Sequence, residues 1–216
     1  MNNKDFWYLC RDWEKYKDEY GIKDLKVIES KLTGAYCNIG RTTDGDIIVR
    51  FKGTELKIND IITDLLFKKM VIPYNNMIGS KVKVHLGFIT QYLSIQKELL
   101  DYISNNKDYE LIYFIGHSLG GALATLCILD MRFNFNLIGA VGIIFGSPKV
   151  GNKHFRNSFI KRVLDFKSFI NVSDIVTKLP LAIMGYRHVE NRIKIGKLRW
   201  WLPFSIKQHL NYDKYL

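Results

Sequence analysis

The chain of 216 residues holds only three cysteines, Cys10, Cys37 and Cys127. An odd count cannot close into a fully paired disulfide framework, and no Cys/His group has the spacing of a zinc site, so neither a metal nor a cofactor is expected. The three are read as reduced structural thiols, which fits a reducing compartment. Long apolar runs are missing as well. No window reaches about 18 uncharged apolar residues, which leaves nothing to span a bilayer. The opening MNNKDFWYLCRDWEKYK has no apolar core segment and soon turns charged, unlike a secretory leader. Together these absences favour an intracellular, cytoplasmic protein. Repeats, low-complexity tracts and Pro-, Gly- or Ser-rich linkers are also lacking, so one domain over residues 1–216 is expected.

Acidic residues are the scarcer charge: 21 Asp and Glu stand against 32 Lys and Arg, a formal net charge of +11. A basic surface draws phosphate, on nucleic acid or on an anionic membrane. Here the basic residues are spread along the chain and no recognised nucleic-acid motif accompanies them. Nucleic acid is therefore not an expected partner. A peripheral contact with an anionic membrane surface is, beside the plainer reading of a solvated basic surface. Hydrophobic residues make up 47% and charged residues 25%, the balance of a globular domain, which excludes a disordered chain.

What is present alternates. Asp5–Tyr20 carries aromatic and charged residues at helical spacing and reads as an amphipathic helix. Ile47–Phe51 follows the turn Asp44-Gly45 and reads as a strand. Lys57–Phe67 and Gly87–Ile103 read as helices; the first puts Ile58, Ile61, Ile62, Leu65 and Leu66 on one face. Leu111–Ile115 is a continuous apolar run, followed by Gly116–Gly121 and the helix-forming Ala122–Leu129. Ala140–Phe145 and Phe166–Asn171 are two further buried strands. Strands buried on both faces and alternating with helices predict an α/β protein with a mostly parallel central sheet flanked by helices.

Gly116-His117-Ser118-Leu119-Gly120 is a Gly-x-Ser-x-Gly motif between an apolar strand and a helix. That context, more than the motif, points to a nucleophile elbow, a tight turn that lifts a serine hydroxyl out of an α/β-hydrolase sheet. The helix beginning there offers unpaired amides to developing negative charge. A phosphate-binding loop is the competing reading, but no Lys-[Ser/Thr] follows as a P-loop requires. In this architecture an acid and then a histidine follow the serine, each in a loop beyond a strand. Asp174 fits the acid, three residues after Phe166–Asn171. The order removes His154 and leaves His188 against His209, with the later position the easier one from which to fold back over the serine. The oxyanion donors would be the amide of Leu119 and one from Gly53-Thr54, beyond the strand Ile47–Phe51.

These residues resemble the class 3 (fungal-type) triacylglycerol lipases. Phe51-Lys-Gly-Thr54 is similar to the family's oxyanion strand, Asp60-Ile-Ile-Thr-Asp64-Leu65 to its lid segment, and Val84-His85-Leu-Gly87-Phe88 to the start of the next helix. Gly116–Gly121 matches the elbow, and Phe145-Gly-Ser-Pro148-Lys-Val-Gly151-Asn152 resembles the segment that follows it. Asn171–Pro180 resembles the acid-bearing loop, Gly185-Tyr-Arg-His188 a structural stretch, and His209-Leu-Asn-Tyr212 the terminal motif that carries the base. The likeness runs from about Ala35 to Tyr212. It implies a Ser118–Asp174–His209 triad that hydrolyses carboxylic esters of lipids, acylglycerol or phospholipid, through an acyl-enzyme, with Thr54 and Leu119 in the oxyanion hole. It also implies a lid whose apolar face is Ile58, Ile61, Ile62 and Leu65; the plain alternative is that this stripe is core. Lys52, Ile61 and Ile175 stand where the family usually has arginine, tryptophan and proline; losing the proline predicts a less rigid acid loop.

Two other features qualify the reading. Trp200-Trp201-Leu202-Pro203-Phe204, flanked by Lys194, Lys197, Arg199 and Lys207, suits a headgroup interface, with burial in the core as the alternative. The competing function is a catalytically weak or inactive lipid- or protein-binding module on the same fold, since fold does not fix function. An intact serine, acid and histidine argues against it.

Overall fold

The computed structural model describes residues 1–53, 70–73, 80–189, 192–197, 206–214 and 216. The expected helix Lys57–Phe67, the lid positions Ile58, Ile61, Ile62 and Leu65, Thr54, and Trp200–Phe204 lie outside these residues.

Eleven strands are described: β1 (Lys23–Ser30), β2 (Ala35–Arg41), β3 (Ile47–Phe51), β4 (Met70–Val71), β5 (Val84–His85), β6 (Ile112–His117), β7 (Ala140–Phe145), β8 (Gly151–Asn152), β9 (Phe166–Asn171), β10 (Tyr186–Arg187) and β11 (Arg192–Ile195). Five α-helices accompany them: α1 (Asn3–Arg11), α2 (Trp13–Glu19), α3 (Leu86–Asn105), α4 (Leu119–Asn134) and α5 (Lys153–Arg162). Among the described residues the main sheet has the order β1-β2-β3-β6-β7-β9-β11. Its first two pairings are antiparallel and the other four parallel. A smaller sheet runs β10-β8-β5-β4.

The expected mostly parallel sheet flanked by helices is what the chain forms. Strand alternation divides its core in two. Ile47, Val49, Phe51, Ile112 and Phe114 face the cluster that buries α3 and α4. Ile48, Ile115, Ile143, Phe145 and Phe169 face Phe6, Trp7, Leu9, Cys10 and Trp13 from the amino-terminal helices. β3 and β6 lie inside the sheet with core on both faces, so they are apolar on both rather than alternating, with Arg50 of β3 as the buried exception.

The amino-terminal segment forms two helices where one was expected. Asn2 and Asp5 build a capping box at the start of α1: Asn2 Oδ1 accepts from the amides of Lys4 (2.8 Å) and Asp5 (3.1 Å), and Asp5 Oδ2 accepts from the Asn2 amide (2.7 Å). Such a cap stabilises a helix by about 1 kcal/mol. Asp12 then breaks the run. Its non-helical backbone (φ −146°, ψ 87°) ends α1, and its carboxylate accepts from the Lys15 amide to cap α2. The turn lets Trp7 and Trp13 both reach the sheet, since both are buried.

Candidate active site

The local sequence forces Ser118 into an unusual backbone. It sits between β6 and α4 with φ 57° and ψ −125°, a left-handed region that costs a non-glycine residue about 1 kcal/mol or more. The flanking glycines make the turn fit. A Cβ at Gly116 would lie 2.3 Å from the backbone of Gly120, and one at Gly120 would lie 2.2 Å from the carbonyl of Phe51. Ser118 occupies the N-cap position, yet its hydroxyl makes no capping bond. Its Oγ is buried with no hydrogen-bond partner among the described residues.

Asp174 follows β9 in a loop made of local bonds. Its amide donates to the Asn171 carbonyl (3.0 Å), and its Oδ1 accepts from the Val176 amide (2.9 Å). Its Oδ2 lies 2.8 Å from His209 Nδ1 and accepts from the Tyr212 hydroxyl, also at 2.8 Å. A carboxylate oxygen only accepts, so Nδ1 carries the proton and Nε2 points away from the acid. That Nε2 is likewise buried without a partner among the described residues. Asp174 is fully buried and His209 is 2% exposed, so the pair is shielded from water. His209 comes from a 3₁₀ turn, Ile206–Leu210.

Gly146, just past β7, has φ 58°, and a Cβ there would stand 3.0–3.1 Å from Tyr212 Oη, Asp174 Oδ2 and His209 Cε1. Only glycine leaves room beneath Asp174 and His209. Thus the structure brings Asp174 and His209 together and places Gly53 beside the serine: a Cβ on Gly53 would be 3.8 Å from Ser118 Cβ. Leu119 opens α4, where first-turn amides lack intrahelical acceptors.

His188, the competing histidine, stays outside this group. His188 Nε2 is 2.7 Å from the Thr177 carbonyl, and burial first, then the charge of Lys149, pull its pKa down to about 3. Asp130 binds Tyr92 (2.5 Å), Gln96 (2.5 Å) and Asn134 across α3 and α4. Each of these two groups is tied to a structural partner.

The loop after Asp174 is better held than the missing proline predicts. Four successive carbonyls, Thr177 to Pro180, are taken up by two residues: His188 binds the first, the Lys149 ammonium the second and fourth (3.0 Å to Pro180), and the Lys149 amide the third (2.7 Å). Burial lowers the Lys149 pKa to about 8. Reading the sequence missed these pins and the role of Tyr212. The spacing His209-x-x-Tyr212 was visible, but the hydroxyl's partner is brought in by a loop 38 residues earlier.

The family described as lipase (class 3) matches residues 48–184. A lipase of Rhizomucor miehei is 32% identical over 177 residues, covering 77% of this chain and 47% of the relative. A secreted mono- and diacylglycerol lipase of Penicillium cyclopium is 30% identical over 174 residues, covering 79% and 53%. The chain thus spans about half the length of these relatives. Among solved structures, a lipase from Rhizopus microsporus var. chinensis superimposes with a TM-score of 0.83 at 23% identity, over 98% of this chain and 85% of the other, which shows the shared fold.

These relatives correct one expectation. The missing leader pattern and unpaired cysteines favoured a cytoplasmic protein, but the related mono- and diacylglycerol lipases are secreted and point to an extracellular location. The cysteines are buried and free as expected, with burial raising Cys10 and Cys37 to about 12. Buried thiols of that kind are inert packing groups in any compartment, which is why they misled. By its matched segment, its fold and its ordered motifs, the chain belongs to the class 3 lipase family.

Proposed function

We propose that this protein hydrolyses carboxylic ester bonds of lipids, with Ser118 as nucleophile, His209 as base and Asp174 as the acid that orients it. One observation carries the reading: His209 Nδ1 is paired with Asp174 Oδ2 at 2.8 Å in a buried site, while His209 Nε2 and Ser118 Oγ are both buried with no hydrogen-bond partner among the described residues. In the reaction His209 Nε2 takes the Ser118 proton as Oγ attacks the ester carbonyl carbon. Asp174 holds the tautomer and stabilises the imidazolium. The Leu119 amide, with a donor from Thr54, stabilises the oxyanion. The imidazolium returns its proton to the departing alcohol. Water activated by His209 then attacks the acyl-serine, releasing the acid and restoring the hydroxyl.

The substrate class is acylglycerol, supported by relatives that act on mono- and diacylglycerols by name. The stripe Ile58, Ile61, Ile62 and Leu65 would serve as a lid over the acyl group, and the net charge of +11 would favour anionic lipid surfaces.

The test is hydrolysis by purified protein across short p-nitrophenyl esters, acylglycerol emulsions and phospholipid vesicles. Ser118→Ala and His209→Ala should each lose about 10⁴-fold or more in turnover, because triad members act as a unit. His188→Ala should keep catalysis and lose stability. A Ser118→Ala protein retaining a tenth of the rate, or a His188→Ala protein as inactive as His209→Ala, contradicts the assignment.

A further inference from the structure

His117 precedes the nucleophile, and its side chain crosses from the elbow to the turn that carries the base. Its Nε2 lies 2.9 Å from the carbonyl oxygen of His209. The two imidazoles pack with centroids 4.4 Å apart at 33°, and Trp7 abuts His117 edge-on at 5.0 Å and 88°. A carbonyl can only accept, so His117 is bound through a protonated Nε2. Burial, and next the neighbouring His209, hold its pKa well below the usual histidine value, so the ring is neutral with its proton on that nitrogen.

The bond answers a local need. A short 3₁₀ helix leaves its last carbonyls without intrahelical donors, and a carbonyl shielded from water must find one. The His209 carbonyl finds it in the residue next to Ser118. His209 is thereby held at two ends: Asp174 fixes Nδ1, and His117 fixes the backbone from which the ring hangs. With one anchor the ring could swing about the Nδ1 contact; with two, the direction of Nε2 is set relative to the serine.

Resting on the assignment of Ser118, Asp174 and His209 above, we propose that His117 is a positioning residue for the base, its Nε2–H tying the His209 backbone to the nucleophile elbow. A base displaced by about 1 Å can cost on the order of 10²-fold in rate, which sets the expected effect.

Three variants separate the bond from the packing. His117→Phe keeps an aromatic ring and loses the donor. His117→Gln keeps an N–H donor at about the reach of Nε2, and His117→Ala removes both. On a soluble p-nitrophenyl ester, His117→Phe should lower kcat about 10- to 100-fold with KM within about twofold. It should slow fluorophosphonate labelling of Ser118 by the same factor, and His117→Gln should recover most of both. A folded His117→Phe with wild-type kcat, or a folded His117→Gln as slow as His117→Phe, overturns the proposal. A measurement on the wild type covers the case in which a variant does not fold. Nitrogen-15 histidine spectra at neutral pH should show His117 as the neutral Nε2–H tautomer, and an Nδ1–H tautomer or a charged ring overturns it. Failure of wild-type Ser118 to label would instead sink the triad assignment.

Discussion

Replacing Tyr212 with phenylalanine deletes one oxygen from the most heavily bonded point behind the site. That hydroxyl donates to Asp174 Oδ2 at 2.8 Å and accepts from the Asn171 amide at 3.1 Å, and the residue is fully buried. Burial first, then the charge of Asp174, hold its pKa well above the usual tyrosine value, so it remains a donor at every working pH. The ring itself can stay, packed on Trp7 at 5.1 Å and Phe145 at 6.3 Å. Losing a hydrogen bond to a charged group costs about 1.5–3 kcal/mol, and leaving the Asn171 amide buried without an acceptor about 1–3 more. The two losses share one atom and neighbours will relax, so we expect about 2–4 kcal/mol in all. For a domain of this size that lowers Tm by roughly 5–15 °C. Catalysis should suffer less. Asp174 still holds His209 Nδ1 through Oδ2 and the Val176 amide through Oδ1, so kcat measured well below the melting range should fall less than about tenfold. Thermal unfolding and ester hydrolysis on the same preparation decide it. A Tm within about 2 °C of wild type, which corresponds to at most about 1 kcal/mol, refutes the energetic reasoning. A loss of about 10³-fold in kcat with the fold intact would make Tyr212 part of the proton chemistry.

Two further outcomes follow from charge. His188 is neutral in the fold with a pKa near 3 and titrates near 6.5 when unfolded. The unfolded chain therefore binds more protons between those values. The stability from this residue is fully present above about pH 6.5 and falls by up to about 1.4 kcal/mol per pH unit below it. Urea unfolding at pH 7, 6 and 5 should show that slope, with His117 adding in the same direction, and His188→Gln should flatten it; an unchanged slope in the variant refutes the assignment. Hydrolysis should be faster on vesicles carrying anionic lipid than on neutral ones, with the difference shrinking as salt shortens the Debye length, since the net charge is +11. Equal rates at low salt would contradict a membrane role for that charge.

How far the sequence reached depended on whether a property was local. The strands Ile47–Phe51, Ala140–Phe145 and Phe166–Asn171 are legible at their observed bounds, because short, mostly apolar segments bounded by polar or turn residues carry their own signal. β1 and β2 went unread. β1 is an edge strand, largely exposed and rich in charge, and β2 buries Asn38 and Gly40 among its apolar residues, so neither shows clean alternation. β11, the opposite edge, is exposed and equally silent. The long helix near the amino terminus was split by Asp12, whose capping role depends on a backbone turn that periodicity cannot register. At the site, chain order and motif brought Asp174 and His209 to notice. The partners of Tyr212, His117 and Lys149 are main-chain groups or loops far along the chain, and only folding reveals which carbonyl or carboxylate each will meet.

The most direct test of the central claim is covalent labelling of the wild-type protein by a fluorophosphonate, followed by peptide mapping. One modified residue, Ser118, is expected, with labelling abolished in Ser118→Ala and slowed in His209→Ala. An acylglycerol substrate is further expected to protect the serine in proportion to its occupancy. Absence of labelling on a folded protein, or labelling elsewhere with Ser118 untouched, would contradict a serine hydrolase and leave a lipid-binding module on the same fold.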